Sequence, residues 1–251
     1  SKDLNFRPTD LEFAPDGSLY VVDWQNALIG HMQHSARDPN RDHAHGRIYR
    51  VTYPSRPLVK PAKISGASIP QLLENLKLPE YRSRYRTRRE LRGRNAEEVV
   101  KATLKWVDSL PKGADERLQL EALWVTWGAK QTDFGLLRKL LDSSDHRIRA
   151  AAVRALRFNM DKNPFFGNRK KLLLDAANDS HGRVRMETVV AASHLNRKTG
   201  LEILKTAQKK AIHKHYKQTY EFAKGVLENA PVPVDADKYK VNPPKHLSKK
   251  D

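Results

Sequence analysis

The hydrophobic period of this chain changes once, and that change dictates what it can fold into. Up to Val51 the apolar residues follow a strand pattern. Leu11 and Phe13 alternate with polar neighbours, Leu19-Tyr20-Val21-Val22 is a short apolar run, and Gly46-Arg47-Ile48-Tyr49-Arg50-Val51 alternates again. Pro15-Asp16-Gly17 separates the first two runs as a turn in which Pro fixes φ, Asp caps its own backbone and Gly takes a positive φ. Residues 54–70 hold Pro54, Pro57, Pro61, Pro70 and Gly66 and follow neither period, as a linker does. From Ile69 to about Leu227 apolar residues recur at helical spacing. The expected fold is mostly α, a helical array preceded by a few strands.

Three short strands cannot enclose a core. The unit over residues 1–53 therefore looks like a terminal blade of a β-propeller, shaped to pack between neighbouring blades, with an enlarged histidine-rich loop between its last two strands. The chain enters the first strand almost at once after Ser1, with no initiator Met, signal peptide or apolar membrane-spanning run, so the expectation is a C-terminal portion of a larger protein.

The helical part, expected over 71–230, divides into short helices: 69–76, 81–92, 96–109, 116–128, 133–141, 147–158, 169–178, 183–195, 200–211 and 216–229. An internal repeat runs through them. Asp145-His146-Arg147-Ile148-Arg149-Ala150 returns as His181-Gly182-Arg183-Val184-Arg185-Met186, with Tyr81-Arg82-Ser83-Arg84 as a degenerate earlier copy. Each copy places a turn before an Arg-flanked helix whose small residues allow close packing. The pattern looks like HEAT repeats, helix pairs stacked into an α-α superhelix. Residues 231–251, with their prolines and lysines, are expected to be extended or disordered.

Charge is unevenly placed. Residues 1–55 carry 6 Lys/Arg and 7 Asp/Glu, whereas the remainder carries 41 and 22. A basic solenoid of this kind suits an acidic protein, an anionic lipid surface or nucleic acid, or simply solvates its helices. No base-reading motif accompanies the charge, so nucleic acid is not the expected partner. With no cysteine, disulfides, thiolate catalysis, thiolate-bound zinc and covalently attached haem are excluded within these residues. Phosphate loops, nucleophile elbows and zinc-protease helices are absent too.

Ligand-type side chains gather in the insert. His31, His34, His43 and His45 fall within fifteen positions, beside Asp38, Asp42, Arg37 and Arg41. Neutral imidazoles with a carboxylate suit a metal, so His31, His34, Asp42, His43 and His45 are the candidate metal ligands. The same residues also suit a substrate or cofactor pocket, or plain hydrogen bonding that packs a long loop. If His43 and His45 lie on a strand, their rings share a face. Arg7, Asp10 and Asp23 suit the rim of a propeller's channel, with an internal ion pair as the alternative, and Arg7, Asp23 and Arg47 are the candidate cofactor-binding residues. Arg82, Arg84, Arg86, Arg88, Arg89, Arg92 and Arg94 spread around a helix; salt bridges to Glu80, Glu90, Glu97 and Glu98 are the first expectation and an acidic partner the second. Trp106, Trp124 and Trp127, with Tyr216, Tyr220 and Phe222, are expected in the solenoid core.

Several of these words together carry a family resemblance: FRPTDLEFAPDGSLYVVDW, LIGHMQHSARDPNRDHAHGRIYRV, LPEYRSRYRTRREL, LEALWV and DHRIRAAAVRALR, in that order over roughly residues 4 to 228. They resemble the PVC-type membrane-bound dehydrogenase family, in which a propeller similar to sorbosone and glucose dehydrogenases is followed by HEAT repeats and often by a cytochrome c module. The resemblance implies a periplasmic or envelope-associated protein acting on sugars or other alcohols. It implies pyrroloquinoline quinone and calcium as cofactors of the full-length parent, and places Arg7, Asp23, His31, His34, Asp42, His43, His45 and Arg47 at matching positions. Its implied partners are the missing blades of the same protein and a redox or envelope protein docked on the repeats. The chain departs from the pattern in lacking C-x-x-C-H and in holding one blade, so this portion alone is expected to be catalytically inert.

Overall fold

The computed structural model describes residues 2–26, 38–39, 42–159, 168–208 and 214–229. His31, His34, Arg37, Arg41 and the 231–251 tail lie outside the described residues. The chain divides into two compact units, residues 1–94 and 95–251.

In the first unit β1 (Pro8–Phe13), β2 (Leu19–Asp23) and β3 (Arg47–Val51) form an antiparallel meander in the order β1-β2-β3. The β1–β2 turn closes as its residues dictate. Gly17 takes φ 84°, and Asp16 Oδ1 accepts from the Ser18 N–H at 2.9 Å and its hydroxyl at 2.6 Å. Residues paired across antiparallel strands share a face. Leu11, Val21 and Tyr49 are one such row and Phe13, Leu19 and Val51 the next, so this face is largely apolar until the Asp23–Arg47 pair at its end. The other face mixes Val22 and Ile48 with Asp10, and Tyr20 with Glu12 and Arg50. Among the described residues both faces leave apolar side chains exposed: Leu11 is 56% exposed, Phe13 54% and Ile48 68%, while Val21 at the centre is buried.

The first unit also holds α1 (Ile69–Asn75) and α2 (Tyr81–Arg92), which pack on each other and bury Leu72, Leu73 and Leu91. Ser68 and Gln71 form a reciprocal capping box on α1, with Pro70 in its first turn. Glu80 caps α2 by accepting from the Arg82 and Ser83 N–H groups.

The second unit is a helical array: α3 (Ala96–Asp108), α4 (Glu116–Gly128), α5 (Phe134–Leu141), α6 (His146–Asn159), α7 (Arg169–Ala177), α8 (Gly182–Ala192), α9 (Arg197–Gln208) and α10 (Lys214–Glu228). Helices pack both within pairs and between like members of successive pairs. Thus α6 lies against α5 and α8, and α9 against α7 and α10. This is the packing of helical repeats. Asn95, Asp115 and Asp133 each accept a first-turn N–H as N-cap. Among the described residues no helix is long and apolar enough to cross a membrane.

In three of the helix pairs one arginine closes the turn between the paired helices. Arg149 Nη1 donates to the carbonyls of Ser143 at 2.8 Å and Ser144 at 3.1 Å. Arg185 Nη1 does the same to Asp179 at 2.8 Å and Ser180 at 3.0 Å, and Arg84 Nη1 to Leu78 at 2.8 Å and Pro79 at 2.6 Å. The three sequence copies thus share one physical role. Arg149 also reaches forward, forking onto both oxygens of Asp179 at 2.7 and 2.9 Å. Burial would raise the Asp179 carboxyl, but the Arg149 fork and the His181 N–H outweigh it and hold it below the usual value. Beside this fork the rings of His146 and His181 stack, 3.5 Å between centroids.

Two sequence expectations shift. Helix α9 begins at Arg197 rather than Gly200, because Asn196 accepts the Thr199 N–H at 3.0 Å and starts the helix earlier. Gly200 is inside the helix because of packing: a Cβ there would lie 2.7 Å from Leu227 Cδ1 and 2.8 Å from the Ala192 carbonyl oxygen. Phe222 is exposed rather than core, since the buried stripe of α10 is Tyr216, Tyr220, Ala223 and Leu227.

Gly200→Ala tests this contact. Ala gains about 1 kcal/mol of helix propensity, but the overpacking against backbone costs about 1–3 kcal/mol, so the net is destabilising and visible in urea denaturation. The histidine stack supplies a pH test. The His181 ring is held below its ordinary pKa by burial first and then by the charge of His146, with Arg149 and Arg185 adding and Asp179 opposing. The unfolded chain therefore takes up the proton first, so stability falls as pH drops through about 6.5. The melting temperature decreases between pH 7.5 and 5.5, and His181→Asn, which keeps an acceptor for the Arg183 N–H that His181 Nδ1 caps at 3.1 Å, shows a smaller decrease.

Candidate functional site

An antiparallel meander brings the start of β1, the end of β2 and the start of β3 to one pole. Arg7 immediately precedes β1, Asp23 ends β2 and Arg47 opens β3, with Asp23 and Arg47 paired in register. The candidate cofactor-binding residues therefore converge, and the histidine-rich insert springs from the same pole.

Asp23 is the centre of this cluster, 2% exposed. Its Oδ1 accepts from the main-chain N–H of Arg7 at 2.7 Å and of Gln25 at 2.9 Å, while the Trp24 N–H returns to the Arg7 carbonyl at 3.0 Å. Arg7 thus meets Asp23 through its backbone, and its guanidinium donates to the Phe6 carbonyl at 3.1 Å. Burial pushes the Asp23 carboxyl up. The Arg7 and Gln25 N–H groups, then Tyr49 and the Arg47 charge, outweigh it and keep the group an anion below its ordinary range. Its second oxygen, Oδ2, is buried and makes no hydrogen bond of normal geometry among the described residues. Gln25 is held at φ 52°, a left-handed conformation a Gln rarely adopts, and its buried Oε1 is likewise without a hydrogen bond. Arg47 Nη1 donates to the Tyr49 hydroxyl at 3.4 Å, and its nearest carboxylate otherwise is Asp3 at 4.0 Å.

Asp42, His43 and His45 sit in a bend ahead of β3, not on the strand, because Asp42 folds the chain onto itself. Asp42 Oδ1 accepts from the N–H groups of Ala44 at 2.9 Å and His45 at 3.1 Å, and Oδ2 lies 2.9 Å from His45 Nδ1. The Ala44 N–H first, and then His45, hold the Asp42 carboxyl below its usual value. All three residues are exposed. Among the described residues no group of three or more His, Asp or Glu side chains is placed to hold a metal.

On α2 the arginines pair differently from the sequence expectation. Arg94 bonds Glu90 at 2.6 Å, but Arg82 and Arg86 reach back to Glu12 of β1, and Arg84 serves the turn carbonyls. Glu80 is used as a cap, so it is not free for ion pairing along the helix. Gln25, Tyr49 and the unbonded Asp23 oxygen were not singled out by sequence. The available signal was the pair of polar residues, Gln25-Asn26, following the Asp23-Trp24 end of a strand.

Residues 1–55 match a family described as Domain of unknown function DUF7133. No curated protein matches the chain. An engineered protein, solved in the crystal as a Northeast Structural Genomics Consortium target, superposes with a TM-score of 0.39 at 15% identity, covering 64% of this chain and 79% of its own. A superposition that loose carries no inference about function.

The Asp23 lock makes a direct prediction. In Asp23→Ala the amide protons of Arg7 and Gln25 lose their acceptor and exchange faster with solvent. In Asp23→Asn the side-chain oxygen still accepts and both remain protected. Hydrogen exchange resolved to these amides reads the difference.

Proposed function

We propose that this chain is the closing blade and helical scaffold of a propeller-plus-solenoid protein resembling sugar and alcohol dehydrogenases, active at the cell envelope. The observation that carries the reading is the two-faced sheet. Leu11, Phe13 and Val51 on one face and Val22 and Ile48 on the other are left exposed by the described residues, as a blade requires when it is to be sandwiched between neighbours. The match of residues 1–55 to a domain family of its own supports treating the blade as a separate module.

In this reading the pole around Asp23 contributes one wall of a site completed by other blades. A calcium ion takes six or more oxygens. Asp23 Oδ2 and Gln25 Oε1 are two buried acceptors without hydrogen bonds of normal geometry among the described residues, too few for a shell and suited to adding to one. Arg7 and Arg47 lie beside them as cations for the carboxylates of a quinone cofactor. The helical repeats position the propeller against a protein partner.

The test is metal content and pyrroloquinoline quinone binding on the full-length parent, with His43→Ala/His45→Ala and Asp23→Asn alongside. Stoichiometric calcium and quinone on the parent, weakened in the variants, and no turnover by this chain alone are the expected results. A parent that takes up neither, with variants that still fold, removes the dehydrogenase role and leaves an interaction scaffold.

A further inference from the structure

The outer faces of the second helices in successive repeats form a groove within the second unit. Trp124 and Trp127 of α4 line one side, and Arg183 and Glu187 of α8 the other. Between them α6 presents Arg147, Ala150, Ala151 and Arg154, at spacing 0, 3, 4, 7, which is one helical face. The two alanines are what open the groove: with no side chain beyond Cβ, α6 leaves a trough between the tryptophans and α8. Trp124 and Trp127 are half-buried, unlike Trp106, which is core, so the expectation that all three tryptophans fill the interior fails at α4. Phe158, 53% exposed, extends the apolar floor by packing on Trp127 at 5.6 Å between centroids, with the Arg157 guanidinium 4.3 Å over its ring.

The charges of this groove are unevenly satisfied. Arg147 is held by Asp145 at 2.7 Å and Arg183 by Glu187 at 3.2 Å. Arg154 is exposed and makes no ion pair among the described residues, and Arg157 meets only the Phe158 ring there. The groove therefore carries an aromatic floor and a cationic excess at the Arg154 end.

We infer that this groove binds an acidic peptide segment that inserts an aromatic side chain between Trp124, Trp127 and Ala151 and sets flanking carboxylates on Arg154 and Arg157. The inference rests on the scaffold part of the function proposed above and names its partner's chemistry. Charge complementarity selects the carboxylates, and the bounded apolar trough selects an anchor residue. A nucleic-acid strand fits less well. Glu187 in the groove wall and Asp145 at the end of α6 would repel a continuous phosphate backbone, whereas spaced carboxylates on a peptide avoid them.

The whole chain is titrated into three fluorescent probes: a random glutamate–tyrosine copolymer, polyglutamate and a thymidine 20-mer. Arg154→Glu is compared with Arg92→Glu, an identical charge change on an exposed α2 residue, and both variants are checked for native melting. The expected result is that the copolymer binds about tenfold tighter than polyglutamate, with quenched tryptophan emission. Arg154→Glu weakens it about tenfold and Arg92→Glu less than about twofold. Equal losses in the two variants, or equal affinity for polyglutamate, reduce binding to diffuse charge and overturn the groove while the scaffold reading stands. Tighter binding of the thymidine 20-mer, lost in Arg154→Glu, makes the surface a nucleic-acid site and overturns both. A folded chain that binds none of the probes overturns the groove alone, since a scaffold can engage its partner on another face.

Discussion

Three inter-helix turns of the helical part depend on an arginine that reaches back to their carbonyls. Where one helix ends and its partner begins, carbonyl oxygens are left without helical donors, and burying them unpaired is costly. Arg84, Arg149 and Arg185 each spend one guanidinium nitrogen on two successive carbonyls of that turn. Arg185 does so while only 1% exposed, with its guanidinium 5.8 Å from the centre of the buried Tyr216 ring. Lysine could not replace it: the planar fork serves several acceptors at once and is the more easily desolvated cation. Arg149 adds the link between repeats, since the same side chain that closes its own turn clamps Asp179 of the next. At the Arg149 turn one side chain therefore sets both the local geometry and the contact with the next repeat.

The two units solve burial in opposite ways. The helical unit closes its core with small residues: Ala152, Ala155, Ala191 and Ala192 are fully buried beside Leu156 and Val189, which lets helices approach closely with little apolar mass. That is how a chain only 39% hydrophobic and 30% charged supports an ordered array. The sheet spends large apolar side chains on surfaces that the described residues leave open. A soluble domain folding for itself would place such residues on one face and polar ones on the other.

The helices were legible because the signals were local. Period, caps and Pro or Gly breaks lie within a few residues of each boundary, and Asn95, Asp115 and Asp133 do what their side chains allow. The repeat was legible as text, but its meaning was not: that Arg149 and Arg185 hold turn carbonyls depends on the depth at which each side chain is buried. At the blade pole the convergence of Arg7, Asp23 and Arg47 followed from strand order. The form of the contact did not, since Asp23 uses the Arg7 amide and not its guanidinium. Hydrophobicity likewise misplaced Trp124, Trp127 and Phe222. A tryptophan at helical spacing reads as core, and whether it is covered depends on the volume of the neighbours across from it, here Ala150 and Ala151.

That last dependence explains why the basic charge and the small residues belong to one argument. Alanines on α6 thin the array enough to leave a trough, and a trough with an aromatic floor is attractive to any apolar group, including another copy of the same chain. A net charge of +18 opposes self-association at long range. Arginines along the rim add a local filter, because only an apolar anchor flanked by carboxylates gains on both counts. Composition that looks merely solvating over the whole chain thus becomes discriminating where side-chain volume is removed: the same charge that keeps copies apart selects an acidic partner.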